Sequence, residues 1–223
     1  MSTLNFKNAV DDYRLLKNRL YPDKAALKLV GDRYRLSAVE RNCLLRGVVA
    51  GEPARARRAK LAGEDAVSGS DLGIDWFNVL ITLESYLKGG VLFLGDDGLL
   101  RDSSSVHGSY RPGPQTERAI GLILETVALL RPRRVDVFFD SPISHSKKMR
   151  DDLERRLLAG AFPFSFCLSL EASADYALKA YRGIVASSDS IVADGSRVVV
   201  DLPRIALERA FGFHPLALDD LEP

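Results

Sequence analysis

The stretch Val135 to Ser146, VDVFFDSPISHS, limits what this chain can become more than any other. Val135, Val137, Phe138 and Phe139 form a run too short for an ordinary helix and rich in β-branched and aromatic residues, which predicts a buried strand. The run stops on Asp140, passes a loop of small residues and enters a charged helix from about Ser146 to Leu158. Open α/β sheets bind ligands at the carboxyl ends of their strands, so an aspartate placed there gains interest if others arrive beside it.

The flanking sequence supplies the rest of such a sheet. Strands are expected at 72–75, continuing towards Leu83, and at 90–94 with a return at 99–102. Further strands are expected at 162–170, 183–189 and 196–202. Helices are expected from about Pro114 to Leu130, at the start marked by Asp175, and from Pro203 through Phe211. The alternation predicts an α/β domain over 66–223 with a mostly parallel sheet flanked by helices. Residues 1–65 read instead as a small all-helical module of three helices. Asp23 is the expected cap of the second, Ser37 with Glu40 forms a capping box for the third, and Gly51 and Pro53 are expected to close it.

Charge divides the chain the same way. The net charge of +1 hides 14 Lys and Arg against 8 Asp and Glu in residues 1–65, and 17 against 22 in the remainder. A basic head on an acidic body suggests a nucleic-acid contact beside a metal-binding carboxylate site; a solvated helical surface is the plainer reading. Arg41, Asn42 and Arg46 would form the exposed face of a helix-turn-helix, and ARARRAK at 54–60 a phosphate-binding arm before a polar linker, Gly63 to Ser70. No apolar run approaches the ~18–20 residues of a membrane span, and the N-terminus has no signal-peptide core, so a cytoplasmic protein is expected. Cys43 and Cys167 have no zinc or disulfide spacing and read as buried thiols. No phosphate-binding glycine loop follows a strand, and Asp140 lacks a second aspartate two residues on, which disfavours nucleotide-binding and phosphatase folds.

Three strands end on or near an aspartate: Asp75, Asp140 and Asp189. In a parallel sheet these fall on one edge, and a helix starting there brings Asp175 to them. Clustered carboxylates repel one another and gain protons unless a divalent cation intervenes. Mg²⁺ or Mn²⁺ suits such oxygen ligands, and a histidine-poor set argues against zinc. Each aspartate taken alone is more simply a helix cap or turn residue.

The segments GIDWFNVL, VDVFFD, SADYALKAY and ASSDSIVAD, in this order, resemble the PIN and NYN nuclease superfamily over roughly 72–202. The resemblance implies Asp75, Asp140, Asp175 and Asp189 as catalytic metal ligands for Mg²⁺ or Mn²⁺, and phosphodiester hydrolysis, most often in RNA. It implies that Ser187 supports a ligand or water and that Asn78 orients the first loop. It also admits a homodimer, since many such domains pair to build a groove. His145, Lys147 and Arg111 are further candidates for substrate contact, with solvated surface as their plainer reading. His107 and Tyr110, in the loop with Arg111, have no counterpart in the superfamily pattern. The first 60 residues, with YPDKAALKLVGDRYRLSAVERNCLLRGV, resemble the prokaryotic domain of unknown function 434. A noncatalytic nucleic-acid-binding or scaffold protein on the same fold is the alternative.

Overall fold

The predicted strand forms as β5 (Arg134–Asp140), the penultimate strand of a six-stranded sheet in a computed structural model that describes residues 3–104 and 110–221. His107 lies outside the described residues. Val135, Val137 and Phe139 are buried. On one side β5 pairs with β2 (Asp71–Asp75), Ile74 opposite Val137; on the other it pairs with edge strand β6 (Ser165–Glu171), Asp140 opposite Glu171. Beyond β2 lie β7 (Ile184–Ala186), β8 (Val199–Val200) and β1 (Leu61–Ala62). The order is β1-β8-β7-β2-β5-β6 and every pair is parallel. The chain builds outward from β2 through β5 to β6, then returns to place β7 on the other flank of β2. The switch point is therefore the crevice between β2 and β7, where open α/β sheets put their ligands.

Helices α5 (Trp76–Leu87), α6 (Thr116–Leu130) and α10 (Leu202–Phe211) pack with one another, and α7 (Ser146–Ala159) runs from β5 back to β6. The strand expected to continue past Asp75 is instead α5. Every residue from Trp76 to Ser85 is buried, so the helix has no solvent-facing side, although the polar residues Asn78, Thr82 and Ser85 recur at helical spacing. Trp76 and Phe77 meet Phe139 of β5 at ring centroid distances of 5.1 and 6.1 Å, seating α5 on the sheet. Two short helices, α8 (Ala174–Ala180) and α9 (Ser190–Gly195), flank β7. The predicted hairpin at 90–102 is present as antiparallel β3 (Leu92–Leu94) and β4 (Leu100–Asp102), outside the main sheet.

The N-terminal segment holds four helices: α1 (Thr3–Asn18), α2 (Asp23–Arg33), α3 (Ala38–Gly47) and α4 (Gly51–Arg58). The Ser37–Glu40 capping box is made in both directions. Asp23 lies inside the first turn of α2 and does not cap it. Gly51 and Pro53 open α4 instead of closing α3, which fits the tolerance of a first turn for proline. The expected linker holds β1 and a 3-10 turn, Glu64–Val67.

The helices are not a core unto themselves. Phe6, Val10, Tyr13, Val30 and Leu44 bury against Phe93 of the hairpin and against Leu218 and Leu221 near the chain's end. Gly47 lets α3 approach this closely, since a Cβ there would stand 2.6 Å from the Phe93 ring.

Ion pairs follow the same seam. Arg14 pairs with Asp96 and Asp219, and Arg46 with Asp102. Arg57 pairs with Asp97 and Asp194, Arg58 donates to the Asp96 carbonyl, and Lys60 to the carbonyls of Ala193 and Asp194. Arg41 bonds Asp32 and the Leu36 carbonyl, and Asn42 the Ser103 carbonyl. The basic face expected to read DNA, and the expected phosphate arm, are thus engaged within the chain. A charge asymmetry measured along a sequence cannot tell a partner from another part of the same molecule. Cys43 is buried as expected, whereas Cys167 is exposed on edge strand β6. Among the described residues no helix is long and apolar enough to cross a membrane.

Candidate functional site

Asp75, Asp140, Asp175 and Asp189 line one cavity of ≈ 340 Å³ at the carboxyl edge of the sheet, with Phe77, Asn78, Pro142 and Ile143. Each reaches it by a different local device. Asp75 is the last residue of β2 and the N-cap of α5. Asp140 ends β5, and its Oδ1 accepts the backbone N–H of Ala174 at 2.9 Å, fastening the start of α8. Asp175 follows in the first turn of α8. Asp189 caps α9, its Oδ1 accepting from the N–H groups of Ile191 and Val192 at 2.7 and 3.3 Å. Asp140 and Asp189 make these bonds through Oδ1 alone; the other oxygen of each has no hydrogen bond or ion pair among the described residues.

The floor of the cavity is a hydroxyl and amide network across the β2–β7 switch point. Ser187 donates its Oγ–H to Asp75 Oδ2 at 2.7 Å, and Ser187 Oγ accepts the Asp189 N–H at 3.1 Å. Asn78 Oδ1 accepts from the N–H and hydroxyl of Ser188 at 2.8 and 3.1 Å. Asn78, Ser187 and Ser188 are all buried, so they orient the acids from beneath. Ser188 escapes sequence reasoning; its only signal is its place in the Ser-Ser-Asp run after β7.

Asp75 carries the electrostatic consequence. It is 4% exposed, and burial pushes its carboxyl up to about 7. The bond from Ser187 acts the other way, and the charges of Asp175, Asp140 and Asp189 push further up. Among the described residues no three His, Cys, Asp or Glu are spaced so as to hold a metal ion as they stand.

The other candidates lie elsewhere. Arg111 and His145 line a second cavity of ≈ 430 Å³ between α6 and α7, with Ile120, Lys148 and Met149. His145 stands at the N-terminus of α7 with φ of 67°, which turns the chain after Ile143 and carries it away from the acidic cavity. Lys147 is exposed on the first turn of α7 and lines neither. Tyr110 is buried and donates to Glu84, as does Thr116.

Residues 64–205 match the family model described as Domain of unknown function (DUF5616). The chain belongs to this family. Residues 5–60 match a second model, Protein of unknown function (DUF434), in keeping with the sequence resemblance of the N-terminal helices. Over 211 residues the chain is 32% identical to Uncharacterized protein MJ0935 of Methanocaldococcus jannaschii, covering 92% of this chain and 98% of that one. Both segments therefore occur together in that relative. No solved structure matches.

Proposed function

We propose that the chain is a divalent-metal-dependent nuclease of the PIN-like type that hydrolyses phosphodiester bonds in RNA. The observation that carries this reading is the meeting of Asp75, Asp140, Asp175 and Asp189 in one cavity at the sheet's switch point, with no arginine or lysine among its lining residues. Neither matched family description names an activity.

The donor set suits a hard cation, because all four side chains offer oxygen and none offers sulfur or imidazole. Mg²⁺ commonly binds through one or two carboxylates and keeps several waters, so a ready-made cage of three acids is not required. Asp140 and Asp189, each with one uncommitted oxygen, are the residues that would hold it, with Asp175 completing the rim. When bound, such an ion activates water and neutralises charge developing on the phosphate. Ser187 and Asn78 fix Asp75 and the Asp189 turn, so the acids face the cavity without large rearrangement. Asp75, whose carboxyl is pushed up to about 7 chiefly by burial, would favour its ionised form once a cation lay beside it.

One observation favours a noncatalytic nucleic-acid-binding protein. Asp75, Asp140 and Asp189 each satisfy the N-terminus of a helix, which is reason enough for an aspartate. Cleavage of a mixed single-stranded and structured RNA pool in Mn²⁺ separates the two. The wild type is expected to cleave, and Asp140→Asn to lose at least a hundredfold while its circular dichroism is unchanged. Mn²⁺ is expected to raise the thermal midpoint of the wild type only. No cleavage by the wild type, with no metal shift of its midpoint, would retire the nuclease.

A further inference from the structure

The cavity of ≈ 430 Å³ between α6 and α7 shares no lining residue with the acidic one. Its wall is apolar: Ile120 of α6 and Met149 and Leu153 of α7 line it and are buried. Its rim is charged. Arg111 and Lys148 lie there, and neither makes a hydrogen bond or ion pair among the described residues. The two carboxylates of the rim are already paired, Glu117 through Oε2 with Arg156 and Asp152 through Oδ1 with Arg155. Two cations are therefore left over, the reverse of the N-terminal helices, where Arg14, Arg46 and Arg57 are engaged within the chain. The start of α7 lies on the same side. It has no side-chain cap and no acid in its first turn. Ser146 is buried there, and its hydroxyl has no hydrogen-bond partner among the described residues, a condition native proteins seldom leave unanswered.

We infer that this cavity binds a free nucleoside monophosphate, its phosphate at Arg111 and Lys148 and its base on the wall of Ile120 and Met149. Each part of the lining matches one part of that ligand. A phosphate needs charged donors that are not engaged elsewhere; Arg111 offers a planar fork and Lys148 a point charge. Glu117 Oε1 and Asp152 Oδ2 have no hydrogen bond or ion pair among the described residues and can accept from ribose hydroxyls, as an acid does in dinucleotide sites. The apolar wall takes the face of a base, and the thioether of Met149 suits an aromatic ring. A bare anion would leave that wall empty, and an uncharged apolar ligand would leave both cations unanswered. No glycine loop is needed, because side chains supply the charge. The volume falls within the ~300–1,000 Å³ of small-ligand sites. This inference stands apart from the nuclease reading, since it uses none of the four aspartates.

Titration calorimetry of the full-length protein in EDTA, which keeps divalent cations from the acidic cavity, tests this with each common ribonucleoside 5′-monophosphate. At least one should bind. Its nucleoside and inorganic phosphate should each bind about tenfold more weakly or less, because each lacks part of the contacts. Arg111→Gln and Lys148→Glu alter exposed side chains that have no partner among the described residues. Their thermal midpoints should therefore match the wild type, while nucleotide binding weakens about tenfold or more through loss of a charge-assisted hydrogen bond. Lys147→Glu, on the same turn but lining neither cavity, should bind as the wild type does. No binding of any of these nucleotides by the wild type overturns the inference, as does binding indifferent to Arg111→Gln and Lys148→Glu. Inorganic phosphate held as tightly as the nucleotide also overturns it, by reducing the cavity to an anion site. Equal weakening by Lys147→Glu and Lys148→Glu would mean diffuse charge attraction and overturn it as well.

Discussion

Two buried aspartates in this molecule have opposite fates. Asp97, in the hairpin turn, is fully buried, yet its carboxyl is held below the ordinary range. Burial alone would raise it, but Arg101 forks onto both its oxygens at 2.5 and 2.7 Å and Arg57 adds a third bond at 3.0 Å. Asp75 is nearly as buried and has a serine hydroxyl, a backbone N–H and three other carboxylates for company. Its carboxyl rises to about 7. The difference teaches where the chain's acids are spent. Those that meet the helical module are matched by arginines and tie the structure together. Asp75, at the sheet edge, meets neutral donors and other acids, and an arrangement that costs stability is the kind that function retains.

The largest effect should come from removing the matched acid. Asp97→Ala would strand Arg57 and Arg101 in a buried seam, and breaking a buried pair from one side costs about 3–5 kcal/mol. Urea unfolding checks this, and a loss under ~1 kcal/mol would erase the contrast with Asp75. A smaller effect should appear as pH dependence. Asp75 and Asp201, the latter raised to about 6 chiefly by burial, hold protons more tightly folded than unfolded. Their contribution to stability is complete below the unfolded value near 3.8 and is lost as pH rises through about 6 and about 7. Asp75→Asn should therefore flatten the decline in thermal midpoint between pH 4 and 7 relative to wild type. A parallel decline in both would mean that Asp75 bears no such strain. The smallest effect belongs to pairs in water. Arg133 and Asp71 meet at 2.7 Å, but the arginine side chain is 71% exposed, and Arg133→Ala should change stability by no more than ~0.5 kcal/mol. A larger loss would show that matched charge matters outside the seam as well.

How much of this could be read from sequence depended on range. The run ending on Asp140, the helix after it, the 92–102 hairpin and the Ser37 capping box all declare themselves within a dozen residues, and all are present. The convergence of four aspartates followed from one further rule, that parallel strands end on one edge. The helix from Trp76 was missed because its apolar run, rich in β-branched and aromatic residues, follows β2 directly and reads as more strand; the polar positions Asn78, Thr82 and Ser85 were the helical signal it did carry. Strand β1 and helix α9 are too short to leave a period. The partners of Arg14, Arg46 and Arg57 lie tens to hundreds of positions away, so the basic N-terminus looked available when it was already taken. His145 is near Asp140 in sequence, yet with Arg111 it lines the separate cavity between α6 and α7.

Leu218 and Leu221 complete the hydrophobic interior that begins with Phe6 and Val10. On the ribosome, the helices that need those leucines emerge long before them. At about 5–20 residues per second, α3 waits roughly 10–40 s for its last neighbours. During that interval its apolar face has the rest of the N-terminal segment and, once made, Phe93 of the hairpin. A segment made well before the sheet is therefore finished only after it, and that interval is the time when chaperones would find it.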